Sequence, residues 1–275
     1  MRSSSRFTAF LVIALLAVAL VAPAEAKPRH NRTKSAGIDC KLIGVPKTLP
    51  SLGLALPVGI GPCPGVRPGA LVQSEKGYCT FNFLFTGSDG HRYMGTAGHC
   101  ILGDSQFVEE IGEETWAPGS GPVAMDGDGN RIGEFAYAIL FTPKDFALIR
   151  LDPGVEADPQ MCHFGGPTGT NVATSGSGLI HHRGNGLIIG DVLPARTSLA
   201  MSYSNPDTVY ANGAALPGDS GGGVISPDGK AVGALVSIGV GGGTGVIGIT
   251  RLAPQVAQAQ QVLGITLTLQ TAAQL

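Results

Sequence analysis

The sequence predicts an all-β protein, a barrel or a sandwich, with a single helix near its C-terminal end. Apolar runs are short and separated by glycine-rich turns, with 42 glycines and 19 prolines among 275 residues. Within the runs apolar residues recur at every second position, as Phe81, Phe83 and Phe85 do in "CTFNFLF". Only "PQVAQAQQVL", 254–263, has a proline opening the first turn and a glycine, Gly264, directly after the last.

Taken in order, residues 1–26 read as a secretory signal peptide. Arg2 and Arg6 give the basic start, Phe7 to Val21 is apolar, and Ala24-Glu25-Ala26 is a small-x-small cleavage pattern. The run is shorter than the ~20 residues a membrane-spanning helix needs, so cleavage is preferred to anchoring. Residues 27–67 form a proline-rich arm or pro-segment, because prolines 46, 50, 57, 62 and 64 forbid a long helix. Then "SDG", 88–90, turns "CTFNFLF" back into "HRYMGTAGHC". A hairpin closing near Ser88 brings Cys79 close to Cys100, so a Cys79–Cys100 disulfide is expected, clamping His99 to the sheet. "DFALIRL" at 145–151, "KAVGALVSIG" at 230–239 and "GVIGITRL" at 245–252 are further strands.

Composition excludes several function classes. Charged residues make up 14% and the net charge is -2, which gives nucleic acid nothing to bind. Hydrophobic residues at 43% argue against disorder, and no segment after the signal is apolar enough to cross a bilayer. The five cysteines of an exported chain read as disulfide candidates before metal ligands, and their odd number leaves one over.

"ALPGDSGGGV", 215–224, holds the candidate chemistry. A serine hydroxyl attacks a carbonyl only when a base removes its proton and an acid orients that base. The oxyanion that develops needs donors. Gly218 lets the chain turn so that its own N–H and that of Ser220 converge on one point, while Gly221 and Gly222 keep side chains out of the way. Of six histidines, His30 lies in the arm, His91 starts a strand, His163 falls in a linker and His181-His182 sit in a polar loop. His99 stands apart, at a strand end beside the expected disulfide.

"TAGHC" at 96–100, "DFALIRL" at 145–151 and "GDSGGG" at 218–223 together resemble the chymotrypsin/trypsin-type serine proteases, in particular the small secreted bacterial members. The order His, Asp, Ser is that family's, and the gaps of 46 and 75 residues suit one barrel each. The resemblance implies two antiparallel six-stranded β-barrels packed face to face, with a C-terminal helix. The protease domain is then 68–264, with barrel 1 at about 68–155, barrel 2 at about 165–252, the helix at 254–263 and a tail at 265–275.

Carried over position by position, the resemblance makes Ser220 the nucleophile, His99 the general base and then acid, and Asp145 the group that orients the imidazole. Asp145 is preferred to Asp152 and Asp104 because it alone opens an apolar strand. Gly218 and Ser220 form the oxyanion hole. Asp219 is expected to turn inward to a cation: an N-terminal amine released by processing, Arg183 or Arg196. Ser237, Ile238 and Gly239 match the strand that binds substrate backbone, with Ile238 replacing the usual aromatic. Ala214, six residues before the nucleophile, marks the base of an open, uncharged specificity pocket. Cys162 falls in the linker between barrels, where it could pair with Cys63 or Cys40; a local Cys40–Cys63 bridge is the alternative.

Two other motifs carry less. "DGDGN", 126–130, begins like a calcium loop but lacks the glycine and glutamate such a loop needs, so it reads as a hairpin turn. The acidic run Glu109, Glu110, Glu113, Glu114 reads as a solvated loop rather than a metal site. The expectation is therefore a secreted, monomeric serine endopeptidase acting on protein or peptide substrates, with no cofactor, metal, nucleic-acid or membrane partner. A catalytically dead binding protein on the same fold is one rival, and a glycine-rich structural β-protein is another.

Overall fold

In a computed structural model, the structure describes residues 63–103, 112–172, 178–186, 195–202, 205–239 and 245–275. The expected signal peptide and the arm up to residue 62 lie outside the described residues, as does Cys40. The N-terminal half contains β1 (Leu71–Ser74), β2 (Gly77–Thr80), β3 (Leu84–Gly87), β4 (Arg92–Thr96), a short helix α1 (His99–Leu102), β5 (Gly112–Thr115), β6 (Val123–Asp126), β7 (Arg131–Phe141) and β8 (Lys144–Leu151). The C-terminal half contains β9 (Gly178–Arg183), β10 (Ala195–Ala200), β11 (Thr208–Asn212), β12 (Gly223–Ile225), β13 (Ala231–Ile238) and β14 (Val246–Arg251). Helix α2 (Leu252–Leu263) and strand β15 (Leu267–Leu269) follow.

Strands β9–β14 close into a six-stranded barrel in the order β10-β11-β14-β13-β12-β9. The N-terminal half is a curled sheet in the order β15-β3-β4-β8-β7-β6-β1-β2, with β5 added on β7. This is the double-barrel architecture of chymotrypsin, with its first half curled rather than closed into six strands. Each half has its own core. Phe81, Met94, Phe135 and Ile149 fill the first, and Val209, Val224, Leu235 and Ile249 the second. A third cluster joins the halves, with Phe83, Phe85 and Phe146 packed against Ile225, Leu252 and Ala259. Each fully buried phenylalanine there contributes about 1.5–3 kcal/mol, enough to hold the two halves in one register.

"CTFNFLF" does not run as one strand. It divides into β2 and β3, with Phe81, Asn82 and Phe83 between them. The backbone changes partners there: Phe81 bonds Gly69 and Ala70, whereas Asn82 and Phe83 bond Gly95, and Asn82 Oδ1 accepts from the N–H of Phe83 at 2.7 Å. Phe81 then turns into the first core while Phe83 and Phe85 enter the inter-half cluster.

Cys79 and Cys100 are joined, with Cα atoms 6.2 Å apart. Cys100 lies on α1 rather than on a partner strand, so the bridge ties edge strand β2 to the turn of helix that begins with His99. Cys63 is joined to Cys162 across 99 residues, fastening the end of the arm to the inter-half linker. Helix α2 begins at Leu252 and ends where Gly264 takes the left-handed conformation at φ 66°. The residues after it do not trail away. Leu267–Leu269 pair with β3, Ala272 N–H donates to Pro167 O, and Gln274 reaches Pro227 O in the C-terminal half.

Candidate active site

The turn after β4 sets His99. Gly98 crosses so close to β7 that a Cβ there would come within 2.0 Å of the Ile139 carbonyl oxygen, and only glycine fits. Across the sheet, Asp145 begins the inward-facing run of β8, opposite Leu140. Its carboxylate takes two bonds from one residue. Oδ1 accepts from the His99 N–H at 3.0 Å, and Oδ2 lies 2.7 Å from His99 Nδ1. The side chains are 20% and 11% exposed, so this bond is largely shielded from water. With Nδ1 engaged by Asp145, the chemistry of the imidazole toward the cleft falls to Nε2.

Ser220 comes from the other half, on the loop between β11 and β12. Gly218 (φ 101°) and Gly221 (φ 84°) both take left-handed backbone, which bends the chain sharply on either side of the serine. Gly221 also presses on the first half, where a Cβ would meet Thr96 Oγ1 at 2.3 Å. Among the described residues, the N–H groups of Gly218 and Ser220 donate to no protein acceptor. Asp219 turns inward and is wholly buried. Its Oδ2 pairs with Arg196 Nη1 and accepts from Leu216 N–H, while Oδ1 accepts from Gly186 N–H. Of the three cations the sequence left open, the structure uses Arg196.

The two halves enclose a cleft of about 610 Å³. His99, Cys79 and Tyr78 line it from one side; Gly218, Ser220, Ser237 and Ile238 line it from the other. Beyond Leu235, which bonds Gly221 and Gly222, β13 leaves β12 and, among the described residues, pairs only with β14. Its cleft-side edge at Ser237, Ile238 and Gly239 is exposed. A neighbouring cavity of about 250 Å³ is lined by Gly213, Ala214, Ala215, Ile238, Gly239, Gly245, Val246 and Ile247. The structure thus brings His99, Gly218, Ser220 and Ser237 to one cleft, with Asp145 bonded to His99, and Ala214 and Gly239 to a pocket beside it, with Ile238 on the border.

Some residues here carried no sequence signal. His181 and His182, expected in a polar loop, lie on β9, and His182 points into the barrel beside Asp219 and Arg196. Burial, helped by the Arg196 charge and opposed by Asp219, pushes the His182 imidazole down from 6.5 to about 4. Between those values the unfolded chain binds a proton that the folded one refuses, so stability falls as pH drops through this window. The loss attributable to His182 should be on the order of 3 kcal/mol. Chemical denaturation at pH 7.5 and pH 4.5 should show that fall, and His182→Gln should flatten it. Asp126 accepts from the N–H groups of Asp128 and Asn130, which makes "DGDGN" the β6–β7 hairpin turn. Glu113 lies on β5 and is taken up by the Tyr137 hydroxyl and Gln258; Glu109 and Glu110 lie outside the described residues.

Two β halves with a cleft between them, fed by a histidine turn from one and a glycine-bracketed serine from the other, define the chymotrypsin-type double-barrel class. The chain belongs to the trypsin family, which it matches over residues 87–259. Among solved structures it is similar to the Nocardiopsis protease NAPase, at 20% identity over 74% of this chain and 98% of that one, TM-score 0.50. It also resembles Thermobifida fusca protease A, at 16% identity over 74% and 99%, TM-score 0.48. A chymotrypsin from Cellulomonas bogoriensis matches at 18% identity over 74% and 99%, TM-score 0.47. No curated protein sequence matches the chain.

Proposed function

We propose that the protein is an exported serine endopeptidase that cleaves peptide bonds through an acyl-enzyme. Ser220 Oγ attacks the substrate carbonyl carbon while His99 Nε2 takes its proton, and Asp145 stabilises the imidazolium that forms. The tetrahedral oxyanion accepts hydrogen bonds from the N–H groups of Gly218 and Ser220. His99 then returns the proton to the leaving amine as the C–N bond breaks, and water repeats the sequence to release the acyl group. Substrate backbone lies along Ser237–Gly239, and the neutral or apolar side chain before the scissile bond enters the pocket over Ala214. No cofactor takes part in these steps, and one chain supplies every group they need. Export is supported by the apolar run at 7–21 and by two disulfides, which persist in oxidising compartments.

The observation that carries this reading is the double hold of Asp145 on His99, through ring and backbone, in the cleft that Ser220 also lines. A surface histidine in a binding protein has no need of such orientation. The test is covalent labelling with a fluorophosphonate. The intact protein should be modified at Ser220, and His99→Ala should abolish labelling. A protein that stays unlabelled while folded is a dead-site binder.

A further inference from the structure

The sequence run Arg183-Gly184-Asn185-Gly186 has no place in the triad, yet it lies at the junction of the two halves. Glycines 184 and 186 wrap Asp219 so closely that a Cβ at either would fall within 3.0 Å of its carboxylate. Asn185 reaches across to the first half, where its Nδ2 donates to Gly69 O. Its own N–H donates to Thr80 Oγ1 at 3.1 Å. That hydroxyl in turn donates to Gly218 O at 2.7 Å. The Thr80 backbone adds a second hold, its N–H donating to Ser220 O at 2.7 Å, and Thr96 Oγ1 donates to Thr80 O at 2.9 Å. Thr80 is wholly buried, so these bonds meet no competition from water.

The bonds fall on particular peptide units. The hydroxyl of Thr80 fixes the Gly218–Asp219 peptide, and its N–H fixes the Ser220–Gly221 peptide. Between them lies the Asp219–Ser220 peptide, which carries one oxyanion donor. The other donor is on Gly218, at φ 101°, whose missing Cβ leaves the backbone free to rotate unless its carbonyl is held. We infer that Thr80 is a positioning residue that, from the opposite half of the molecule, locks in place the Ser220 oxyanion donor and holds the carbonyl of the residue that carries the other. The Asn185 N–H fixes its hydroxyl so that the proton points at Gly218 O. This inference rests on the peptidase reading and deepens it.

The experiment compares Thr80→Val, which keeps the shape and removes the hydroxyl, Thr80→Ala, and Thr80→Ser, which keeps the hydroxyl. Peptide hydrolysis, fluorophosphonate labelling and inhibition by a peptide boronic acid are measured on each folded protein. Val and Ala should lower kcat by about 10–100-fold with KM changed less than about 3-fold, since a misplaced donor costs the transition state and not substrate binding. Boronic acid affinity should fall in step with kcat, and Ser should restore most of both. Should Val fail to fold, Ala reads the same hydroxyl. Unchanged kcat in Val and Ala, or a loss in Ser equal to that in Val, overturns the inference and leaves the peptidase reading standing. Wild-type protein that does not label at Ser220 overturns both.

Discussion

Ser220→Ala is expected to lower kcat by about 10⁴–10⁶-fold, with KM little changed, and His99→Ala by a similar factor. The two residues act on one proton. Once the hydroxyl is gone there is nothing for the imidazole to accept, and without the imidazole the hydroxyl stays a poor nucleophile. The double variant should therefore be no slower than either single one. Asp145→Asn should fall by about 10⁴-fold, because the amide NH₂ cannot accept from Nδ1–H and turns the ring to the wrong tautomer. The residual rate in all of them reflects the oxyanion donors and substrate binding, which none of these changes touches. The measurement is steady-state hydrolysis of a chromogenic peptide by the four variants. Losses that add in the Ser220/His99 double variant would mean that the two side chains act on separate steps.

The candidate site was legible in the sequence because its chemistry is carried by short local motifs. Glycine at 98, 218 and 221 is demanded by close approach or left-handed backbone within a few residues of His99 or Ser220, and such demands leave a mark that sequence shows. What escaped were features fixed by residues far away in the chain. His181-His182 read as a loop because two histidines and an arginine look polar; on β9 His182 meets Asp219 and Arg196 inside the barrel while His181 takes Thr197 on the other face. Leu267–Leu269 is too short a run to announce a strand, and it becomes one only because β3 offers an open edge. The break after β2 is hidden for a different reason. The apolar alternation continues through Asn82, so the pattern looks unbroken while the backbone changes partners. Thr80 is the functional counterpart of this. A lone threonine in a strand carries no signal, and its partners Asn185 and Gly218 lie 105 and 138 residues away.

Cleavage after lysine or arginine should be about 10²–10⁴-fold less efficient, in kcat/KM, than after leucine, methionine, phenylalanine or tyrosine. The side chains lining the cavity over Ala214 are aliphatic or absent, and none of its described lining residues carries a charge. A buried ammonium or guanidinium needs a carboxylate. The nearest along the chain, Asp219, is wholly buried and already committed to Arg196, Leu216 N–H and Gly186 N–H. Asp207 precedes β11 at the strand's far end from Ala214, where its backbone oxygen accepts from Arg251 N–H. Taking a basic side chain out of water with no partner costs several kcal/mol, whereas an apolar one gains ~25 cal/mol for each Å² it buries. The two contributions act in the same direction, and each 1.4 kcal/mol is a factor of ten in rate. A glutamate at that position should fare no better, for lack of a cation among the described lining residues. Profiling a peptide library with the active protein decides the matter, and a dominant preference for basic residues would place the specificity pocket elsewhere than over Ala214.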